Sequence, residues 1–199
     1  MRPFTPEEAA LVYAAFSGDQ KQRNQLLFIV GYYTGFRISG LLSLRRKNVQ
    51  IGGYLLKRVR LPRAEVKGKK EGVAKLITSA MAKALSAWLV VLDERGHNTA
   101  NSFLFQNRYK RNEAIDRGTA YKIINGTARS VGVVGAIGCH SLRKSFGFEY
   151  HISSGRDFFQ TSEAMGHSDP RTTKAYFSFD EDWDNEIILS MPDILAKGD

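Results

Sequence analysis

Five side chains in this sequence are of the types that can hold and cut a phosphodiester. His140 and Arg143 form an HxxR pair, the tripeptide Met165, Gly166, His167 follows, and Tyr176 comes nine positions after His167. A second arginine, Arg37, lies far upstream in the stretch TGFRISGLLSL. Two guanidinium forks can grip the non-bridging oxygens of a phosphate, and imidazoles can donate to the same oxygens or carry a proton. A phenol can attack phosphorus. The four histidines and Cys139 show no ligand spacing such as HExxH or CxxC, so no metal site and no cofactor are expected. Cys139 is chain-adjacent to His140, a poor arrangement for a thiol and its base, and reads as packing.

These residues need elements to position them. Thr5, Pro6 and Glu8 spell a helix start with a capping box. Gln22 to Thr34 is apolar nearly all round and predicts a buried central helix ended by Gly35, from which Arg37 emerges at a helix junction before a short helix, 38–44. Periodicity then turns strand-like. Gly52 and Gly53 make a turn, and Tyr54 to Leu61 alternates apolar with basic until Pro62. A second hairpin is expected from 64–66 and 73–78, its tip formed by Lys67, Gly68, Lys69 and Lys70. Ser79 is expected to cap a helix whose Leu85, Trp88, Leu89 and Leu92 form one core stripe. A short strand over 102–105 precedes a basic loop with Arg108, Lys110 and Arg111. Thr119 is expected to cap a helix running to about Val131, and a glycine-rich loop, 132–138, delivers His140. Helices over 141–152 and 158–165 follow, then a short one from Pro170 carrying Tyr176.

Charge narrows the partner. The chain carries 29 Lys and Arg against 20 Asp and Glu, a net +9, but residues 180–199 hold seven acidic groups and only Lys197 in opposition. That tail is −6, leaving +15 on residues 1–179, a field suited to a polyanion. Trp183, Ile187, Ile188 and Met191 give the tail an apolar helical face. One cysteine excludes an internal disulfide. With no basic-then-apolar leader and no bilayer-length apolar run, a cytoplasmic, nucleoid-associated protein without membrane contact is expected.

Taken together the residues resemble the tyrosine recombinase (phage integrase) family. Its first box, TGxRxxELLxL, is met by TGFRISGLLSL, and its second by HSLR, MGHS, Thr172, Thr173 and Tyr176, over a span from about Thr5 to Phe179. The resemblance implies an α+β fold, a mostly helical catalytic domain with a small antiparallel β-sheet or hairpin on one edge. It implies a DNA breaking and rejoining domain over 1–179 and an acidic C-terminal helix or tail over 180–199, either folded back or exchanged between protomers. Arg37 and Arg143 would clamp the scissile phosphate of double-stranded DNA, His167 would hydrogen-bond it, and His140 would assist proton transfer. Tyr176 would attack to give a 3′-phosphotyrosyl link. AEVKGKKEGVAKL matches the family's β-hairpin with Lys67 as the lysine that protonates the leaving 5′ oxygen, Lys69 and Lys70 standing close by. The expected DNA-contacting set is Arg45, Arg46, Lys47, Lys57, Arg58, Arg60, Lys69, Lys70, Arg108, Lys110 and Arg111. The expected assembly is a homo-tetramer on DNA and a monomer without it.

The chain also departs from the pattern. Gly40 stands where the first box has an acidic residue, removing a carboxylate that orients the site, and Lys144 replaces a common histidine. Gly72 takes the place of a frequent basic residue, and Ala74 and Lys75 replace the usual Val-Pro. Two other readings share these motifs: a type IB topoisomerase-like or telomere-resolving strand transferase, and a non-catalytic DNA-binding relative.

Overall fold

A computed structural model describes residues 1–62, 72–109, 112–167 and 173. Helix α1 (Pro6–Ala15) begins at Thr5 with the expected capping box: Thr5 Oγ1 accepts from the Glu8 amide at 3.2 Å, and the Glu8 carboxylate accepts the Thr5 amide at 3.1 Å. Arg2 holds the same carboxylate at 2.5 Å and donates to the Val134 carbonyl, fastening the amino terminus to the glycine-rich loop.

Helix α2 (Lys21–Thr34) buries Leu26, Leu27, Phe28 and Val30 and packs against two later helices, α4 (Ser79–Glu94) and α6 (Cys139–Ser153). It is the centre of the core, as its all-round apolar pattern predicts. Short α3 (Ile38–Ser43) follows and buries Leu41 and Leu42.

The strand region differs from expectation. Strands β1 (Gln50–Ile51) and β2 (Tyr54–Leu55) close around the Gly52–Gly53 turn, while β3 (Arg58–Leu61) pairs antiparallel with β4 (Val73–Leu76) in a separate sheet. The alternation from Tyr54 to Leu61 is therefore two strands. The break falls at Leu56, whose amide donates to the Val49 carbonyl at 2.8 Å, and Lys57, whose carbonyl accepts from Ile77 at 3.0 Å. Val59 and Leu61 are buried while Arg58 and Arg60 face outward. Residues 64–66, read as a strand of this hairpin, lie outside the described residues, and the described partner of β4 is β3.

Helix α4 is capped by Thr78 rather than Ser79, with Thr78 Oγ1 accepting from the Met81 amide. Its stripe of Leu85, Trp88, Leu89 and Leu92 is core, and the Trp88 indole donates to the Leu104 carbonyl at 2.6 Å. Phe103 and Gln106 make single bridges to Arg45 and Ala114 in place of the strand expected over 102–105. Helix α5 (Arg117–Ser130) is capped by Asp116, and Thr119 is the residue whose amide and hydroxyl both reach Asp116. Helix α6 begins at Cys139, two residues before the expected start, so His140 rides on its first turn and not on the loop. Helix α7 (Phe158–Met165) has its expected bounds and lies against α6. Gly147 permits that approach: a Cβ there would stand 2.7 Å from Met165 Sδ. No described helix is long and apolar enough to cross a membrane.

Candidate active site

The site begins where α2 stops. Gly35 takes a left-handed conformation (φ 61°), ending the helix so that Phe36 turns into the core and Arg37 comes out exposed ahead of α3. A side chain at Gly35 would collide with the Phe146 ring. The glycine is thus required both by the turn and by the close approach of α6.

Arg143, one turn into α6, is 4% exposed. Its Nη1 donates to the Gly35 carbonyl and its Nη2 to the Met165 carbonyl at 2.7 Å. A buried guanidinium is costly unless its donors are used. Here the end of α2 and the end of α7 supply acceptors. Arg37 and Arg143 line a narrow cleft of about 30 Å³ together with Lys75 and Gly166. On the usual scale that is room for about two water-sized atoms, comparable with a pair of phosphate oxygens. The same two arginines line an adjoining cavity of about 240 Å³, whose wall also includes His140 and Arg117.

His140 is hemmed in by protein on one side, and this desolvation, followed by the charges of Arg143, Lys144, the amino terminus and Arg37, holds its imidazole below the usual range. The ring is neutral near pH 7 and able to accept a proton. His167 leaves α7 just past the left-handed Gly166, its amide donating to the Ser162 carbonyl at 3.0 Å. Its Nδ1 shares a 2.7 Å hydrogen bond with the buried Thr173 hydroxyl, which fixes the ring plane. Tyr176 and Lys67 lie outside the described residues, as do Lys69, Lys70, Lys110 and Arg111.

The remaining basic candidates fall into groups. Lys57, Arg58 and Arg60 are exposed along the β3 side of the hairpin. Arg45 stacks over Phe103 at 3.7 Å and donates to the Asn101 carbonyl, Arg46 pairs with Asp93 and Gln50, and Lys47 reaches the Asn101 side chain at 2.8 Å. Arg108 lies over Tyr109 beside Arg95 and His97 at a broad cavity of about 880 Å³. Nearby Arg23 is buried, and burial first, then the charges of Arg95 and Arg108, lowers its guanidinium to about 10. Sequence reasoning missed Arg117 and Lys75 as parts of the site. Placing the α5 cap at Asp116 instead of Thr119 would have put Arg117 on the first helical position; Lys75 stood out only as a departure from the usual Val-Pro, with nothing local to give it a role.

A sequence profile of the phage integrase family matches residues 3–182. The probable integrase/recombinase YoeC of Bacillus subtilis is 30% identical over 164 residues, covering 82% of this chain and 82% of that protein. Tyrosine recombinase XerC of Pelobacter propionicus is 28% identical over 154 residues, 77% of this chain but 47% of its own length. The chain thus spans about half the length of such XerC relatives. Among solved structures, XerA recombinase superposes with a TM-score of 0.75 at 20% identity, covering 97% of this chain and 64% of that one. XerH site-specific recombinase in a post-cleavage complex with a palindromic difH substrate gives 0.73 at 22% identity, covering 94% and 52%. With the fold, the boxed motifs and the profile in agreement over nearly the whole length, the chain belongs to the phage integrase family.

Proposed function

We propose that this chain is the catalytic part of a site-specific DNA recombinase that cuts and rejoins double-stranded DNA without metal or ATP. The observation that carries the reading is the shared cleft of Arg37 and Arg143, two guanidiniums from distant parts of the sequence on one small space. They bind the scissile phosphate and offset the added charge of the pentacoordinate transition state. Tyr176 Oη attacks phosphorus while the bond to the 5′ oxygen breaks. The phenol proton leaves through neutral His140, Lys67 supplies a proton to the 5′ oxygen, and His167 donates to a phosphate oxygen. A free phenol has a pKa of about 10, so the surrounding cations are needed to make it nucleophilic near neutrality. The 3′-phosphotyrosyl link keeps the energy of the phosphodiester, and reversal onto a different 5′ hydroxyl completes the exchange.

Exposed Lys57, Arg58 and Arg60, with the basic loop at Arg108, contact the DNA backbone in this reading. Four protomers assemble on DNA in the nucleoid. Nicked suicide DNA, in which the 5′ end diffuses away, tests the chemistry: the parent chain gives a denaturation-resistant protein–DNA adduct and Tyr176→Phe gives none. A parent chain that binds the DNA and never forms the adduct refutes it.

A further inference from the structure

The last four carbonyls of a helix have no partner within it. In α7 these belong to Ser162, Glu163, Ala164 and Met165. The first two accept the amides of His167 and Gly166, at 3.0 and 2.8 Å, through the left-handed turn at Gly166. The last accepts from Arg143. The third, Ala164, accepts the ammonium of Lys75, which comes from a different element altogether. Lys75 reaches it because cross-strand pairing with the fully buried Val59 turns it to the inner face of the hairpin, while its neighbours Ala74 and Leu76 face outward. On the way its ammonium lies 4.9 Å from the centre of the Phe146 ring, the same ring that closes over Gly35.

We propose that Lys75 is a positioning residue, an added C-terminal cap of α7 that fixes the Met165–His167 turn beside Arg143 and ties the β3–β4 hairpin to the phosphate cleft. A cation at a helix carboxyl end is favourable in itself. This one also joins three parts of the site: the strand leading back from the hairpin tip, the α7 turn carrying His167, and the α6 face carrying Arg143. The proline common at this position in the family has no group that could do so. The consequence for catalysis rests on the DNA-cleaving reading; the capping role does not.

The experiment compares the full chain with Lys75→Met, which keeps the stem and removes the charge, and with Lys75→Arg, which restores it. Hydrogen exchange on the free protein is the arm independent of DNA. Lys75→Met speeds exchange of the Gly166 and His167 amides about tenfold or more while the amides of α4 keep their protection. On nicked suicide DNA, the adduct-forming rate at saturating DNA falls about 100-fold, the effect expected of an ångström-scale displacement. The DNA dissociation constant changes less than threefold, its dependence on salt is unaltered, and Lys75→Arg recovers at least a third of the rate. Unchanged exchange at Gly166 and His167 overturns the proposal. A salt slope reduced by about one also overturns it, because Lys75 would then be contacting a phosphate directly. Failure of the parent chain to form any adduct speaks against the recombinase reading instead, and the exchange result then decides the capping role alone.

Discussion

Arg143 shows how one side chain is made specific by what its donors already hold. The Gly35 and Met165 carbonyls occupy part of the guanidinium, so the fork arrives at the cleft in a fixed plane. Lysine could keep the charge but not both anchors. Arg143→Lys should lower the adduct-forming rate by about 100- to 1,000-fold, the usual scale for losing a preorganised donor, with a much smaller change in DNA affinity. Rates and binding isotherms on the same suicide DNA separate the two. His140 carries the second residue-scale prediction. Its pKa is depressed, so the proton-accepting neutral ring persists below the ordinary histidine value of about 6.5 and is lost only as pH falls through the lower folded value. The adduct rate should therefore hold to a lower pH than an unshifted histidine would allow and fall on further acidification. His140→Gln should remove that acid limb along with most of the rate.

At the scale of elements, caps decide where helices begin, and the true caps were the harder ones to read. Thr78 and Ser79 are adjacent and both are good cap types, but only Thr78 has the extended backbone (ψ 164°) that turns its hydroxyl onto the Met81 amide. Thr78→Ala should cost about 1 kcal/mol and Ser79→Ala only a few tenths, read from urea midpoints. Asp116 and Thr119 pose the same problem, solved by the stronger acceptor. Elements with dense local signals were legible: the Thr5–Glu8 box, the end of α2 at Gly35, the stripe of α4 and both bounds of α7. The division of Tyr54 to Leu61 between two sheets was not, since partners distant in sequence set it. For the same reason Arg37 and Arg143, which line one cleft, could be paired from their motifs, whereas Lys75 owes its place to strand register and to a carbonyl 89 positions away.

For the molecule as a whole, charge is divided along the chain: +15 on residues 1–179 and −6 on residues 180–199. The first favours a polyanion, with affinity that falls steeply as salt rises. The second is of opposite sign and suited to a basic surface. Removing everything after Phe179 should weaken self-association on DNA, measured by sedimentation of the protein–DNA complex; unchanged assembly would leave the tail with no part in it.

The left-handed Gly35 has a last consequence. Its carbonyl anchors Arg143, and Arg37 stands two residues further along the same turn. One bend thus bears on both guanidiniums, as a shared hinge does on two arms. A displacement of this turn would be felt by both guanidiniums at once, by Arg37 through the chain and by Arg143 through its hydrogen bond, while the second anchor of Arg143 stays with Met165 on α7.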